Sequence, residues 1–166
     1  LPAATNTFTT GNIAAPIPDL GTVNVTVNAS PNANITDVNA RVRLNHTWDE
    51  DVDMTLFHPA GPSIDLSSDN GGSADNYGSG TNDCAGTPTT FDDAAATAIT
   101  AGVAPFAGAF RPEAPLSTFN GTNQNGTWRL QVVDDEALLS GTVGCFSLDI
   151  TAAASYVGRA AVIARQ

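Results

Sequence analysis

Apolar and polar residues alternate with a period of two along most of this chain. Val23, Val25 and Val27 alternate with Asn24 and Thr26, the pattern of a half-buried strand. Between Ile35 and Leu44, Val38, Ala40, Val42 and Leu44 share one face and Arg41 and Arg43 the other. Val52, Met54 and Leu56 then point inward against Asp53, Thr55 and Phe57, and Ile64 with Leu66 makes a short fourth run. The clearest runs come late: Trp128, Leu130 and Val132 against Arg129 and Gln131, then Phe146, Leu148 and Ile150 against Ser147 and Asp149. Turn signals separate them, among them Pro59-Ala60-Gly61, Asp69-Asn70-Gly71-Gly72, Asn120-Gly121 and Asn125-Gly126, which supply the positive φ angles other residues resist. Short strands with frequent turns predict an all-β sandwich.

Two stretches break this rhythm. Residues 67 to 93 are polar and rich in Gly, Asp, Asn and Ser, longer than the roughly 12–15 residues that an unstructured loop reaches in a compact domain. Something must pin that segment down. Residues 102 to 120 carry Pro105, Pro112 and Pro115 among Phe106, Phe110 and Phe119, which predicts an irregular segment laid on the core by its aromatics. Ala94 to Ile99 is read as one helical turn capped by Asp92 or Asp93. The chain divides into residues 1–21, a linker or first edge segment; 22–151, the sandwich; and 152–166, a tail or linker.

At 166 residues the chain has the length of a single domain with one sizeable core. Six basic residues face 17 acidic ones, a formal charge of −11, which repels phosphate backbones and anionic membranes. Nucleic acid and membrane are therefore excluded as expected partners, and no apolar run approaches the roughly 18 residues of a membrane span. Residues 1 to 20 contain no basic start followed by an apolar stretch, so no signal peptide is visible. Secretion is expected instead from the scarcity of Lys, the abundance of Thr, Asn and Gly, and two cysteines.

Nucleophilic hydrolysis needs a nucleophile, a base and an orienting group. The two histidines, His46 at a strand end and His58 beside Pro59, accompany no G-x-S-x-G elbow; Ser63 follows Pro62 in a turn. Asp92-Asp93 and Asp134-Asp135-Glu136 are the candidate carboxylate pairs for glycoside hydrolysis, but neighbouring residues point in different directions, and Asp134 to Glu136 is read as a solvated turn. No phosphate-binding loop, CxxC pair or zinc-spaced cluster occurs.

Metal binding carries more weight. Asp49, Asp51 and Asp53 recur at every second residue, on one side of an extended chain. As an EF-hand start this fails, because Met54 and Ala60 stand where Gly and Glu are required. A site assembled from separate segments remains: Asp51 from a strand start, Asp69, Asn70 and Asp75 from the long loop, and Asp92 or Asp93 from its far end. Such carboxylate, amide and carbonyl oxygens suit Ca²⁺; the alternative is that the same acids are merely solvated. Cys84 lies in the long loop and Cys145 on the outer face of the last strand. A bond between them would tack the loop to the sheet, a closure that contributes roughly 4 kcal/mol; two free thiols are the alternative.

At this point ordered blocks resemble a known family. Asn45-His46-Thr47-Trp48-Asp49-Glu50-Asp51-Val52, followed by Leu56-Phe57-His58-Pro59-Ala60-Gly61, is similar to the "HTyxGDL…L.SP.GT" signature of the proprotein convertase P domain, or Homo B domain. Thr90 to Ala94 resembles its "TxFDDxA", Pro105 to Glu113 its "PFxGxFRPE", and Leu116 to Phe119 its "LSxF". Asn125 to Asp134 resembles its "NGTWxLxVxD", and Gly141 to Leu148 its closing "GTLxxWSLxI". Glu50, Val52 and Phe146 depart from the pattern, Glu50 replacing a Gly.

The resemblance implies a jelly-roll-like sandwich of about eight strands, appended to the C-terminal side of a secreted subtilisin-like or other protease. It implies a non-catalytic role in folding and stabilising that catalytic unit, with the catalytic domain of the same polypeptide as partner. Bacterial relatives in this family often bind calcium, so the resemblance implies calcium here too, and Asp51 occupies the place of the family's near-fixed Asp. The domain itself is expected to be monomeric. An autonomous adhesion or carbohydrate-binding module is the rival reading, since a sandwich does not dictate function.

Overall fold

The computed structural model describes residues 2–154. Ten strands are arranged in two sheets. In chain order they are β1 (Ala4–Thr9), β2 (Ala15–Ile17), β3 (Thr22–Ala29), β4 (Ala33–His46), β5 (Val52–Phe57), β6 (Ser63–Ser67), β7 (Thr89–Phe91), β8 (Gly108–Phe110), β9 (Gly126–Asp134) and β10 (Gly141–Ala154). One sheet runs β1-β10-β4-β7-β8, with β2 also paired to β10; the other runs β3-β9-β5-β6. Every pairing is antiparallel except β7 with β8. The expected jelly-roll-like sandwich is thus observed, extended by short strands at its rims.

The inward faces of the two sheets form one core. Val25 and Val27 of β3, Met54 and Leu56 of β5, and Trp128, Leu130 and Val132 of β9 meet Val38, Val42 and Leu44 of β4 and Phe146, Leu148 and Ile150 of β10. All are buried. Outward residues are paired too: the Arg129 guanidinium lies 3.8 Å from the centre of the Phe57 ring, a cation–π contact that links neighbouring strands β5 and β9.

Simple alternation fails at three bulges: one in β6, where Met54 pairs with Ser67 and Thr55 with Asp65, so that Leu66 is extra and both Leu66 and Ser67 are buried, and two between β4 and β10. Thr151 pairs with Asp37 while Ala152 pairs with Ile35, so Thr36 is the extra residue. This lets Ile35 and Val38, three positions apart, both enter the core. On β10, Val143 pairs with Leu44 and Cys145 with Arg43, so Gly144 is extra. Val143 and Phe146 therefore both point inward, and Cys145 faces out. A Cβ at Gly144 would come within 2.1 Å of the Asn82 carbonyl oxygen, so only glycine lets the long loop lie against this bulge.

The segment 102–120 is laid on the core as expected, with Phe106, Leu116 and Phe119 buried. The helical turn expected at Ala94 to Ile99 does not form. Asp92 accepts the Ala94 N–H at 2.8 Å in a turn, and only Ile99–Ala101 makes a single 3₁₀ turn. Of the expected tail, Ala152–Ala154 continue β10, and residues 155–166 lie outside the described residues.

Candidate functional site

The long polar excursion after β6 is held from two sides. Its later part is fastened to β4 by Arg43, on the outward phase of that strand yet only 3% exposed. The guanidinium donates to the carbonyls of Gly80 (2.7 Å), Thr81 (3.1 Å), Ser79 (3.2 Å) and Leu44 (2.8 Å), and to Asn45 Oδ1 (2.9 Å). A planar fork with several donors suits such a ring of carbonyls. Gly86 permits the approach, because a Cβ there would sit 2.0 Å from the Thr81 carbonyl oxygen and 3.2 Å from Arg43 Nε. The Cys84–Cys145 disulfide is formed, closing the loop onto β10 as expected. The isolated Leu44–Tyr77 bridge and the stacking of Tyr77 on Phe106 at 4.9 Å complete the attachment.

The earlier part, Ser68 to Asn76, is bordered by acids. Asp49, Glu50 and Asp51 form a 3₁₀ turn before β5, which breaks the extended geometry expected for this tract. Asp49, Asp51 and Asp53 consequently point to three different places. Asp51 is buried beside His46 and Asp134, a group whose ligating atoms lie within 4.8 Å of one another. His46 Nε2 is 2.9 Å from Asp134 Oδ2, and Nδ1 is 2.8 Å from the Trp48 carbonyl oxygen, so both ring nitrogens are already engaged. Burial, and next the Asp134 charge, push the Asp51 carboxyl up, against the pull of His46.

Asp53 faces outward and meets Asp69 and Asp135, again with ligating oxygens within 4.8 Å of one another. Asp69 takes a positive φ of 55° and donates its N–H to Asp53 Oδ1 at 3.2 Å. Burial, then the charges of Asp69 and Asp135, push Asp53 up to about 6. Three carboxylates from β5, the long loop and the loop after β9 thus converge at an open edge, the oxygen-only donor set that calcium takes. Asp49 belongs to neither group. It is fully buried, and neither carboxylate oxygen has a hydrogen-bond partner.

The residues expected to share one metal site are therefore distributed. Asp69 joins the outer triad, Asp51 joins His46, and Asp75 stands on the exposed turn close enough for its charge to raise Asp49. Asn70 donates its amide to Ser67 Oγ (2.9 Å) and Glu113 Oε2 (3.2 Å). Asp92 caps its own turn, and Asp93 accepts the N–H groups of Leu116 (2.9 Å) and Ser117 (2.8 Å), capping the 3₁₀ turn Leu116–Phe119. Neither Asp92 nor Asp93 stands with the other acids in a group of three among the described residues.

Asp134 was expected in a solvated turn, but it is 1% exposed. It continues the inward phase of Trp128, Leu130 and Val132, and carrying the alternation one step further would have found it. Asp135 follows on the outward side, beside Asp53. Glu50 takes no positive φ, so the 3₁₀ turn needs no glycine at that position. His58 is spent on packing: its ring stacks on Phe119 at 5.6 Å and meets Trp128 edge-on at 4.7 Å, with Nε2 2.9 Å from the Asn123 carbonyl oxygen. Burial lowers its pKa.

Beside the outer triad lies a cleft of about 610 Å³ whose lining includes Trp48, Glu50, Asp69, Glu136 and Leu138. Leu138 is 88% exposed at a φ of 94°, and its N–H donates to Asp19 Oδ1 at 3.0 Å. That bond ties it to the neighbouring exposed Leu20, also at positive φ. The result is a mixed apolar and acidic surface at one end of the sandwich.

Comparison with known proteins places this arrangement. Two crystal structures share its fold: the serine protease of Aeromonas sobria in complex with a chaperone (TM-score 0.59, 17% identity, covering 93% of this chain and 28% of that one), and the serine protease of Aeromonas sobria (TM-score 0.58, 17% identity, 92% and 27%). This chain thus spans little more than a quarter of those proteins. No curated protein sequence matches it significantly. The profile of the proprotein convertase P-domain matches residues 35–150, the stretch from Ile35 in β4 to Ile150 in β10, and the chain belongs to that family.

Proposed function

We propose that this domain is a non-catalytic accessory unit that stabilises, and assists the folding of, a secreted subtilisin-like serine protease on the same polypeptide, with structural calcium. The observation that carries the reading is the family match over residues 35–150, supported by the fold shared with part of a serine protease chain. The disulfide fits an oxidising compartment. No helix among the described residues is long and apolar enough to cross a membrane.

The partner surface is the end formed by Trp48, Leu20 and Leu138 with Glu50 and Glu136, where exposed apolar side chains and carboxylates mix. Exposed residues held at positive φ mark sites where strain is retained for a purpose. Calcium belongs at Asp53, Asp69 and Asp135 on the same end, where it would neutralise three converging carboxylates and fix the start of the long loop. The carbohydrate-binding alternative needs a platform of exposed aromatics, and Trp48 is the one aromatic among the large exposed apolar residues described.

The test is to produce the parent polypeptide with and without this domain. Loss of active protease, or a lower melting temperature of the catalytic unit, is expected without it. Equal yield and equal melting would overturn the reading.

A further inference from the structure

Asp49 presents a problem that the rest of the fold does not solve. Its side chain is 0% exposed, and both carboxylate oxygens lack a hydrogen-bond partner. A bare charge so placed costs several kcal/mol, so something must neutralise it. The nearby backbone donors are committed elsewhere, the Asp49 N–H to the Ala74 carbonyl (2.9 Å), the Glu50 N–H to Gly72 (3.1 Å) and the Asn76 N–H to His46 (3.0 Å), and the pull that the Asn76 backbone also exerts on Asp49 is outweighed by burial. The basic side chains are committed too. Among the described residues Arg41 pairs with Asp149, Arg43 with loop carbonyls, Arg111 with Ala95 and Ala96, and Arg129 with Phe57 and Asn24.

The turn over Asp49 is shaped to enclose it. Gly71 adopts a φ of 93°, and a Cβ there would stand 2.7 Å from Asp49 Cβ and 3.2 Å from Oδ2. Only a residue without a side chain brings the turn this close. Asp75 is exposed on the same turn, between Ala74, whose carbonyl accepts the Asp49 N–H at 2.9 Å, and Asn76, whose N–H is given to His46 at 3.0 Å, and it adds a second carboxylate beside the enclosed one. A proton on Asp49 would remove one of these charges and leave the other. A divalent ion would satisfy both, and a turn rich in carbonyls can complete the six to eight oxygens that calcium accepts.

We infer that Asp49, with Asp75 and the Gly71–Asn76 turn, holds a second, enclosed calcium ion, separate from the one at Asp53, Asp69 and Asp135. The inference extends the calcium reading above but rests on different residues. The ion would act as the fastener of the early loop, as Arg43 is of the late one.

Calorimetric titration of the ion-stripped 166-residue chain with calcium chloride separates the two sites. Wild type should bind two equivalents, D53N/D135N one and D49N one, and terbium luminescence sensitised by Trp48 and Tyr77 should persist in D53N/D135N. Because D53N/D135N alters half-exposed and exposed positions, it decides the matter even if D49N does not fold. One equivalent left in that variant supports the enclosed site, and none overturns it. A single wild-type equivalent that D53N/D135N leaves intact and D49N or D75N abolishes would uphold the enclosed site while removing the outer one. Two equivalents retained in a folded D49N would overturn the enclosed site.

Discussion

The two halves of the long polar loop are held by opposite kinds of chemistry. From Tyr77 to Pro88 the backbone carbonyls turn inward onto a cation supplied by the protein, the Arg43 guanidinium, and a covalent bond joins Cys84 to Cys145. From Ser68 to Asn76 the protein supplies anions instead: Asp49 within, Asp53, Asp69 and Asp135 without, and no basic side chain among them. A loop far longer than usual can be ordered either way. The Tyr77–Pro88 half is fastened by a cation and a covalent bond of the protein itself, whereas the Ser68–Asn76 half is held by neutral bonds such as Asp49 N–H to Ala74 (2.9 Å) and Asn76 N–H to His46 (3.0 Å), and the calcium proposed for it is a fastener that the surroundings can supply or withdraw.

Changes to the self-sufficient half should give the largest losses, under all ionic conditions. Replacing both cysteines by serine should cost about 4 kcal/mol of unfolding free energy for a separation of 61 residues, read by urea denaturation. R43M should follow at about 3 kcal/mol, because it strands several carbonyls in a protein interior. If either loss appears only in the presence of chelator, the two halves are not independent.

Calcium removal should come next. Taken one site at a time, at a tenfold excess over its dissociation constant the ion contributes about 1.4 kcal/mol, and the two sites together stay below the loss of the disulfide, so adding chelator should lower the melting temperature of wild type but not of D49N/D53N/D135N. The pH dependence sharpens this. In the ion-free domain burial holds Asp49 at about 7 and Asp53 at about 6, above the ordinary value near 4. The folded state therefore keeps protons that the unfolded chain has released, and ion-free stability should be full below about pH 4 and fall as pH rises through 6 to 7. Asp37 and Asp51, also raised by burial, act in the same sense. Calcium needs the deprotonated oxygens, so its stabilising increment should grow over the same window. A melting temperature of the stripped protein that rises from acid to neutral pH would contradict this.

The smallest effect belongs to neither half. Leu138→Gly removes an exposed side chain from a positive φ and should stabilise the isolated domain by about 1 kcal/mol or less, while weakening association with the protease body. Unchanged association would exclude Leu138 from the docking surface.

Much of this architecture was legible because alternation reports burial directly. Six of the ten strands follow from it, whereas the helical turn expected over Ala94–Ile99 with Asp92 or Asp93 as its cap does not form, and Asp93 instead accepts the N–H groups of Leu116 and Ser117, a long-range contact that local spacing does not reveal. The bulges at Thr36, Leu66 and Gly144 were hidden, since an extra residue looks like a break in pattern until its partner strand is known. Strand β1 is exposed along nearly its whole length, so it carries no apolar signature beyond Phe8. The acids were found as a class but misallocated: one 3₁₀ turn at Asp49–Asp51 sends three alternating aspartates in three directions, and local spacing cannot foresee this. Arg43 gave no signal, because an arginine on an outward strand phase looks identical whether it meets water or a ring of carbonyls.

Amide hydrogen exchange across the loop, with calcium and with chelator, tests the division most directly. The backbone bonds joining Asp49 to Ala74 and Glu50 to Gly72 should become strongly protected on adding calcium, while the Ser79–Thr87 bridge exchanges at the same rate in both. Identical profiles for the early segment, or equal calcium protection of both, would contradict it.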